Sequence, residues 1–417
     1  MTTGPPRVGL FGILAAGNIG NDASMEVVLR YLRQRHPEAI VDVMTTDARR
    51  LTARYGLDAT QLGWRHPREQ RSPLPVSFAL KLLGKLVQAA HTASWVRRHD
   101  VVIVPGMGVL EASVPLRPWE FPYALSTLCT FGTLFRTKVA LVSAGADVIT
   151  KRPTRWLLNA AARQAYYRSY RDQGSLAAMR ARGLDTTRDP VYPDLALGLP
   201  TSHADPGDPR VVGIGVMAYY GDNDDDRRDA ARIHAAYVEK LTHFVRWLLD
   251  CGRTVRLFIG DACDRAVVDT VLDDARAYRP DLDPAVIVAE PISSFEDLTR
   301  AMTPVGTVVA TRYHNVMCAL MLAKPVISVG YAAKNEELMS GMGLAEYCLS
   351  VHSLELDELI GRFTELEGQA ERLRPGMIAG CRDSARQLDR QFTELSALLL
   401  PDVAARGQDE VSTSSQS

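Results

Sequence analysis

The first part of the chain alternates short apolar runs with stretches of helical periodicity. The apolar runs are rich in β-branched residues and lie at 7–13, 40–46, 101–108, 138–146 and 166–172. Between the first two runs, residues 22–36 carry apolar side chains at the spacing of an amphipathic helix. Continuous apolar runs separated by amphipathic helices are typical of parallel strands covered by helices on both faces. The pattern predicts one α/β domain over 1–199.

The pattern stops and restarts near the middle of the chain. Residues 199–210 are rich in Pro, Gly, Asp and Ser and lack periodicity, which predicts a linker over 200–210. The alternation resumes with apolar runs at 211–219, 254–260, 285–292, 305–311 and 325–331. Residues 354–399 then carry the spacing of one or two helices, and the polar segment 401–417 predicts a disordered tail. We therefore expect a second α/β domain over 211–400, closed by helices.

Two parallel-sheet domains joined by a linker define the predicted fold class. It is an α/β protein with two Rossmann-like domains facing across a cleft, a GT-B-like layout, followed by C-terminal helices. In open parallel sheets, ligands bind beyond the carboxyl ends of the strands, so residues that follow strands are the candidates for function. The layout by itself does not select a chemistry.

Composition and charge exclude several classes of protein. The 417 residues include 48 Lys and Arg against 49 Asp and Glu, and a dedicated nucleic-acid binder would carry a basic excess. No apolar run reaches the ~18 residues that a membrane-spanning helix needs. The N-terminus lacks the pattern of a secretory signal. The six cysteines form no C-x-x-C pair and are expected to be reduced thiols, which favours a cytoplasmic protein.

Glycine-rich turns follow two of the predicted strands. Directly after the first strand, before a predicted helix, come the loop residues Gly17, Asn18, Gly20 and Asn21. The N–H groups and the dipole at a helix start attract anions, so this loop is either a ligand-binding loop or simply a tight turn. Gly106 and Gly108 follow the third strand. They either admit the close approach of a ligand or only turn the chain.

The strongest chemical signal is the segment Thr311-Arg312-Tyr313-His314, which closes an apolar strand and opens an apolar helix. In an extended segment, residues i and i+2 point to the same side, so Arg312 and His314 can project together into the cleft. A guanidinium binds phosphate or carboxylate through paired hydrogen bonds, and an imidazole exchanges protons near neutral pH. The alternative is that His314 only caps a turn.

Further cations follow two other strands. Lys334 comes after Tyr331 at the end of the next strand and either adds a second positive charge to the same side of the cleft or is a solvated surface lysine. Arg171 precedes Asp172, a predicted helix N-cap with Ser175 three residues on. Arg171 either faces the cleft or pairs with a local carboxylate. Because no zinc-ligand spacing and no paired carboxylates stand out, a cationic site without a metal is predicted.

In their order along roughly 7–350, these motifs resemble those of the polysaccharide pyruvyl transferase family. The segments that carry the resemblance are Asn18-Ile19-Gly20-Asn21-Asp22-Ala23, Pro105-Gly106-Met107-Gly108, Arg171-Asp172 with Ser175, Pro193-Asp194, Thr311-Arg312-Tyr313-His314, and Tyr331 with Lys334. Two of them depart from the family pattern. Asn21 stands where the family has Asp, and a triple-glycine turn has become Pro-Gly-Met-Gly.

The resemblance implies a transferase that uses phosphoenolpyruvate as donor and a sugar diol as acceptor, forms a pyruvate ketal, and needs no metal or organic cofactor. It implies that Arg312 holds the phosphate or carboxylate of the donor and that His314 is the acid or base. The contact of Arg171 is not fixed by it. The acceptor, the stereochemistry of the ketal and the oligomeric state stay open.

Other functions remain compatible with the sequence. A sugar-nucleotide-dependent glycosyltransferase of the same layout would use Arg312 and Lys334 on the nucleotide diphosphate. A family member redirected to a small-molecule pathway, or a non-catalytic binding protein on an inherited fold, would carry similar motifs. The acidic run 222–226 is either a solvated loop or a sign of a changed substrate.

One segment suggests a contact with a membrane surface. Between Gly63 and His99 there are seven Lys or Arg residues against Glu69 alone, interleaved with apolar residues. A basic helix with an apolar face can lie on an anionic membrane. Peripheral contact with the inner membrane face through 65–98 is one hypothesis. The other is an ordinary helix that packs its apolar face on the sheet.

Overall fold

The computed structural model describes residues 4–63, 74–111, 118–201, 205–221 and 229–400. The predicted tail 401–417 and the acidic run 222–226 lie outside the described residues, as do 65–73 of the basic segment and 202–204 of the linker. The chain divides into two compact units. Unit 1 takes the described residues of Met1–Ala16, Ser24–Ala196 and Arg386–Ser417, and unit 2 takes those of Gly17–Ala23 and Leu197–Ala385.

The described part of unit 1 contains a six-stranded parallel sheet. Its strands are β1 (Arg7–Gly12), β2 (Ile40–Thr45), β3 (Ala59–Gln61), β4 (Val101–Val104), β5 (Lys138–Ala144) and β6 (Tyr167–Tyr170), in the order β3-β2-β1-β4-β5-β6. The helices are α1 (Ile19–Arg35), α2 (Ala48–Tyr55), α3 (Leu74–Val96), α4 (Phe121–Phe135), α5 (Arg152–Gln164) and α6 (Gln173–Ala181). This is the doubly wound order of a dinucleotide-binding fold.

The described part of unit 2 repeats the plan. Its strands are β7 (Asp208–Gly215), β8 (Thr254–Phe258), β9 (Ile287–Ala289), β10 (Val305–Ala310), β11 (Val326–Gly330) and β12 (Cys348–Ser350), in the order β12-β11-β10-β7-β8-β9. The helices are α7 (Ala230–Asp250), α8 (Arg265–Tyr278), α9 (Phe295–Met302), α10 (Tyr313–Met321), α11 (Ala333–Gly341) and α12 (Leu356–Leu399).

In each sheet the strand order reverses between the first and the fourth strand, β1 and β4 in unit 1, β7 and β10 in unit 2. That reversal opens a crevice beyond the carboxyl ends of the two strands, where ligands of such sheets bind. The central strands β4, β10 and β11 are buried at every residue, which explains their continuous apolar runs. Arg312 and His314 follow β10 directly and therefore lie at the reversal of unit 2.

The last turns of α12 belong to unit 1, whereas the sequence places residues up to 400 with the second domain. The cause is a set of buried polar contacts. Gln391 donates to Ser169 (2.9 Å) and accepts a hydrogen bond from Ser143 (3.2 Å), and Ser396 lies 2.8 Å from the hydroxyl of Tyr31. Because a buried polar group without a partner is costly, these pairs fix this part of α12 to unit 1.

Candidate functional site

The predicted pair Arg312 and His314 lies at the amino end of α10. Arg312 is the N-cap residue of this helix and His314 is in its first turn. The rest of α10 is buried, and its residues Val316, Cys318 and Leu320 have no exposed surface. A helix start carries unpaired N–H groups and a partial positive charge. Arg312 thus stands where the backbone already favours an anion.

The guanidinium of Arg312 is held by one carboxylate, Asp264, which has no exposed side-chain surface. The Nε atom donates to Oδ2 of Asp264 at 2.8 Å and the Nη2 atom donates to Oδ1 at 2.5 Å. Burial works to lower the pKa of Arg312, but the hydrogen bonds and the charge of Asp264 outweigh it and raise this pKa above its ordinary value. Arg312 is therefore charged at any physiological pH.

Asp264 is in turn fixed by backbone groups. Its Oδ2 accepts from the N–H groups of Gly260 (3.1 Å) and Asp261 (2.9 Å), and its Oδ1 accepts from the N–H of Ala218 (2.9 Å). These groups come from the segments that follow β8 and β7. A carboxylate with so many donors cannot rotate, so the plane of the Arg312 guanidinium is fixed as well.

One edge of the guanidinium remains for a ligand. Among the described residues, Arg312 uses Nε and Nη2 for Asp264 and Nη2 for the Sγ of Cys263 (3.2 Å), and its Nη1 group has no protein partner. The thiol of Cys263 is no competing anion, since burial raises its pKa to about 11 although the charge of Arg312 acts against this. The Nη1 group can therefore donate to an anion.

Lys334 adds a second cation to this place. It lies in the first turn of α11, and its Nζ is 5.2 Å from the ring centre of Tyr331 and 5.8 Å from that of Tyr313. Such cation–π contacts hold an ammonium group in a defined position. Tyr331 is also close enough to Arg312 to affect its pKa. We call Arg312, His314 and Lys334 the cationic site.

The predicted glycine loop belongs to unit 2, as the cationic site does, and contacts it through Gly20. A Cβ atom on Gly20 would lie 2.0 Å from Cε1 of His314, so only glycine leaves room for the imidazole there. The ring of Tyr313 stands edge-on to that imidazole at 5.4 Å. Gly17 has a φ of 104°, a left-handed conformation that favours glycine.

Asn18 has a structural task in the same loop. Its Oδ1 accepts from the N–H groups of Gly20 (3.1 Å) and Asn21 (3.2 Å), and its Nδ2 donates to Asp261 (3.2 Å). It thus caps α1 and joins the loop to the segment after β8. Because the side chain of Asn18 already satisfies these two N–H groups, they are not the anion-binding donors that the glycine pattern suggests.

Arg171 lies in unit 1, with only 4% of its side chain exposed. It forms ion pairs with Glu111, with Asp194 (3.3 Å) and with Asp172 (3.4 Å). Asp172 also caps α6 by accepting from the N–H of Ser175 at 2.5 Å, as the sequence predicts. Arg171 thus pairs with local carboxylates, one of the two alternatives the sequence leaves open.

Gly106 and Gly108 belong to the surroundings of Arg171. A Cβ atom on Gly106 would lie 2.8 Å from the carbonyl oxygen of Ser143, and one on Gly108 would lie 2.7 Å from Oε2 of Glu111. The close approach that these glycines allow is therefore an approach of the chain to itself. No ligand contact is needed to explain them.

Asp264 and Tyr237 are not among the residues predicted from the sequence. Tyr237 shares a hydrogen bond with Thr311 (2.9 Å), the residue before Arg312, and accepts one from the N–H of Met217 (3.2 Å). It also lines a cavity of about 150 Å³ together with Tyr219, His352 and Leu354. A signal for Asp264 exists: Asp261-Ala-Cys-Asp264 follows a predicted strand and has capping-box spacing.

The described residues hold no group of three or more His, Cys, Asp or Glu side chains placed to bind a metal ion. In the same residues, no helix has both the length and the apolar character needed to cross a membrane.

Solved structures of similar fold include UDP-N-acetylglucosamine 2-epimerases. The protein described under that name from Listeria monocytogenes has a TM-score of 0.57 at 11% identity, with 95% of this chain and 97% of that one covered. The enzyme from Neisseria meningitidis bound to UDP-GlcNAc scores 0.55 at 10% identity, with 92% and 100% covered. The enzyme from Methanocaldococcus jannaschii scores 0.53 at 9% identity, with 86% and 92% covered. With the two doubly wound sheets, these similarities confirm the predicted class of two Rossmann-like domains of the GT-B type.

A family model gives the closer assignment. No curated protein sequence is similar enough to the chain to count as a match. The model of the polysaccharide pyruvyl transferases, in contrast, matches residues 18–332, three quarters of the chain. That range begins at the capping Asn18, includes Arg312 and His314, and ends two residues before Lys334. The chain therefore belongs to the polysaccharide pyruvyl transferase family and is a transferase.

Proposed function

We propose that the protein transfers a pyruvyl group from phosphoenolpyruvate to hydroxyl groups of a sugar or glycan precursor, and that the donor binds at the cationic site. The observation that carries this proposal is the guanidinium of Arg312, which Asp264 fixes at the start of α10 through Nε and Nη2, two residues before His314. The family assignment supports the pyruvyl group as the transferred unit.

The charges of the donor fit these residues. Phosphoenolpyruvate carries a phosphate and a carboxylate on three carbon atoms, so its site needs more than one cation. Arg312, Lys334 and the amino end of α10 are the sources of positive charge proposed for it. Arg171 is left out of the proposed site because three carboxylates surround it.

His314 is proposed as the group that moves the proton. Protonation of the methylene carbon of phosphoenolpyruvate places positive charge on the central carbon, which one sugar hydroxyl attacks while giving up its proton. A second hydroxyl then displaces inorganic phosphate and closes the ketal, and its proton leaves with the phosphate or returns to the imidazole. A positioned acid or base contributes about 10²–10⁴-fold to such a rate. The proposed chemistry calls for neither a metal nor an organic cofactor.

Calorimetric titration with phosphoenolpyruvate tests the proposal. We expect binding by the native protein and a loss of at least about tenfold in affinity for Arg312→Ala, since one charge-assisted contact contributes ~1.5–3 kcal/mol. Arg276→Ala, which removes an exposed arginine of α8, is the matched control and should bind like the native protein.

A panel of sugar nucleotides is titrated in parallel, and phosphate release is measured with a panel of sugar diols. If a sugar nucleotide binds tightly and phosphoenolpyruvate does not bind, the proposed function would change from pyruvyl transfer to glycosyl transfer. Phosphate release that depends on a diol, and that Arg312→Ala abolishes, would support pyruvyl transfer and identify the acceptor class.

A further inference from the structure

The surface of α3 exposes three neighbouring leucines. Leu82, Leu83 and Leu86 are 57%, 47% and 61% exposed. With roughly 100° of rotation per residue, they cover an arc of about 100° on one side of the helix. Gly84 and Gln88, on the opposite side, are buried. This part of α3 thus faces the protein with its glycine and glutamine and faces outward with its leucines, the reverse of an ordinary surface helix.

Trp119 extends this surface. Its side chain is 61% exposed, and its ring centre is 6.4 Å from that of Tyr123 at the start of α4. Tyr123 donates a hydrogen bond to the carbonyl oxygen of Lys85 in α3 (3.1 Å), and the Nζ of Lys85 is 5.3 Å from the tyrosine ring centre. We call Leu82, Leu83, Leu86 and Trp119 the leucine patch. Exposed leucines on one side of a helix form an apolar surface of the kind that marks an interaction site.

The charge around the leucine patch selects the partner. Lys81 and Lys85 flank the leucines on one side, and α3 contains no Asp or Glu at all. A second copy of the chain docked through the same patch would bring these like charges together, because a two-fold contact pairs a surface with itself. An anionic partner would be attracted instead.

The side-chain types agree with a lipid surface. Leucines enter the boundary between headgroups and acyl chains, while Trp and Tyr rings prefer that boundary because they are apolar with one polar end. Lysine places its apolar stem along such a surface and its ammonium group at the phosphates. We propose that the leucine patch docks the protein onto an anionic lipid bilayer, with Lys81 and Lys85 at the headgroups. This proposal does not depend on the reaction proposed above.

Sedimentation of the full-length protein with lipid vesicles tests the proposal. Vesicles of phosphatidylcholine with phosphatidylglycerol should bind the native protein, and binding should weaken as salt is added. Vesicles of phosphatidylcholine alone should bind it much less. The double variant Leu82→Ser with Leu86→Ser should lose about tenfold or more in affinity for the anionic vesicles. Lys81→Gln with Lys85→Gln should lose about fivefold for each lysine.

Leu134→Ser is the matched control. Leu134 is 66% exposed on the last turn of α4, outside the leucine patch, so its variant should bind vesicles like the native protein. The proposal is overturned if the native protein does not sediment with anionic vesicles at low salt, or if the double serine variant binds them as tightly as the native protein. A native dimer that the double serine variant disperses, without vesicle binding, would assign the patch to a second copy of the chain.

Discussion

Asp264 shows how a single buried residue can decide the chemistry of its neighbour. The carboxylate of Asp264 takes up two of the five donors of Arg312 and so reduces the number that remain for a ligand. Yet the same contact fixes the guanidinium plane, and backbone N–H groups from two segments share the negative charge of the carboxylate. We therefore interpret Asp264 as a positioning residue for Arg312.

The prediction for Asp264→Asn separates positioning from stability. The amide of the new side chain could accept from Nε or Nη2 through one oxygen only, so Arg312 would lose its fixed orientation. We expect KM for phosphoenolpyruvate to rise by about tenfold or more, because a charge-assisted hydrogen bond of ~1.5–3 kcal/mol is weakened, while kcat changes less. Steady-state kinetics of phosphate release measures both constants.

The control for this change is Asp269→Asn on the exposed side of α8. It removes the same charge without touching Arg312 and should leave both constants unchanged. If Asp264 only supported folding, its variant would contain less active protein, so kcat would fall in proportion while KM stayed constant. That pattern would contradict the positioning role.

At the scale of elements, the sequence predicted what hydrophobic periodicity encodes. Central strands such as β4 and β10 are buried on both faces, so each is a continuous apolar run that can be recognised in the sequence. The three-residue strands β3 and β12 were missed, whereas the equally short β9 was predicted because it lies within the longer apolar run 285–292.

The candidate site was predictable only where chemistry follows a strand directly. The sequence singles out Arg312 and His314 because they follow β10 directly, at the start of α10. Asp264 was missed because its role depends on a partner 48 residues away in sequence, and no local pattern encodes that distance. Arg171 shows the converse, since a charged residue after a strand can equally be the centre of a buried ion cluster.

The ion cluster of Arg171 joins several elements and gives the second prediction. Arg171 follows β6, and its partners Glu111 and Asp194 come from the segments after β4 and before unit 2. Arg171→Met would leave buried carboxylates without their cation, which costs about 3–5 kcal/mol. We expect a loss of that size in the free energy of unfolding, measured by denaturant titration, with the exposed Arg180→Met as control. If Arg171→Met is as stable as the native protein but no longer binds phosphoenolpyruvate, Arg171 would instead be assigned to the donor site.

At the scale of the whole molecule, the two units share the ends of the chain in a way that the sequence does not predict. Residues 17–23 belong to unit 2 although they follow the first strand of unit 1, and residues 386–400 return to unit 1. Both exchanges rest on side-chain contacts of Asn18 and Gln391 that have no periodicity. The hydrophobic pattern does not predict such contacts, because each involves only one or two polar residues.

The described end of the predicted linker is anchored within unit 2 by a buried lysine. Lys324 is 1% exposed, and its ammonium group donates to the carbonyl oxygens of Asp205 (2.8 Å) and Thr303 (2.5 Å). Arg374 donates to the carbonyl oxygen of Pro206 (3.2 Å) close by. Burial lowers the pKa of Lys324 to about 8, and the nearby charge of Arg374 acts in the same direction, against an opposing effect of Asp205.

This lysine makes the stability of the molecule depend on pH. In the unfolded chain its pKa returns to the ordinary 10.5, so between pH 8 and 10.5 the unfolded state binds more protons than the folded state. The free energy of unfolding contributed by Lys324 therefore rises with pH across that window, by on the order of 3 kcal/mol. Denaturant titrations of the native protein and of Lys324→Met measure it, because the other titrating groups cancel in the difference between the two. As the pH rises from 8 to 10.5, we expect the free energy of unfolding of the native protein to increase relative to that of Lys324→Met. A difference that stays constant over this window would show that Lys324 keeps an ordinary pKa in the folded protein.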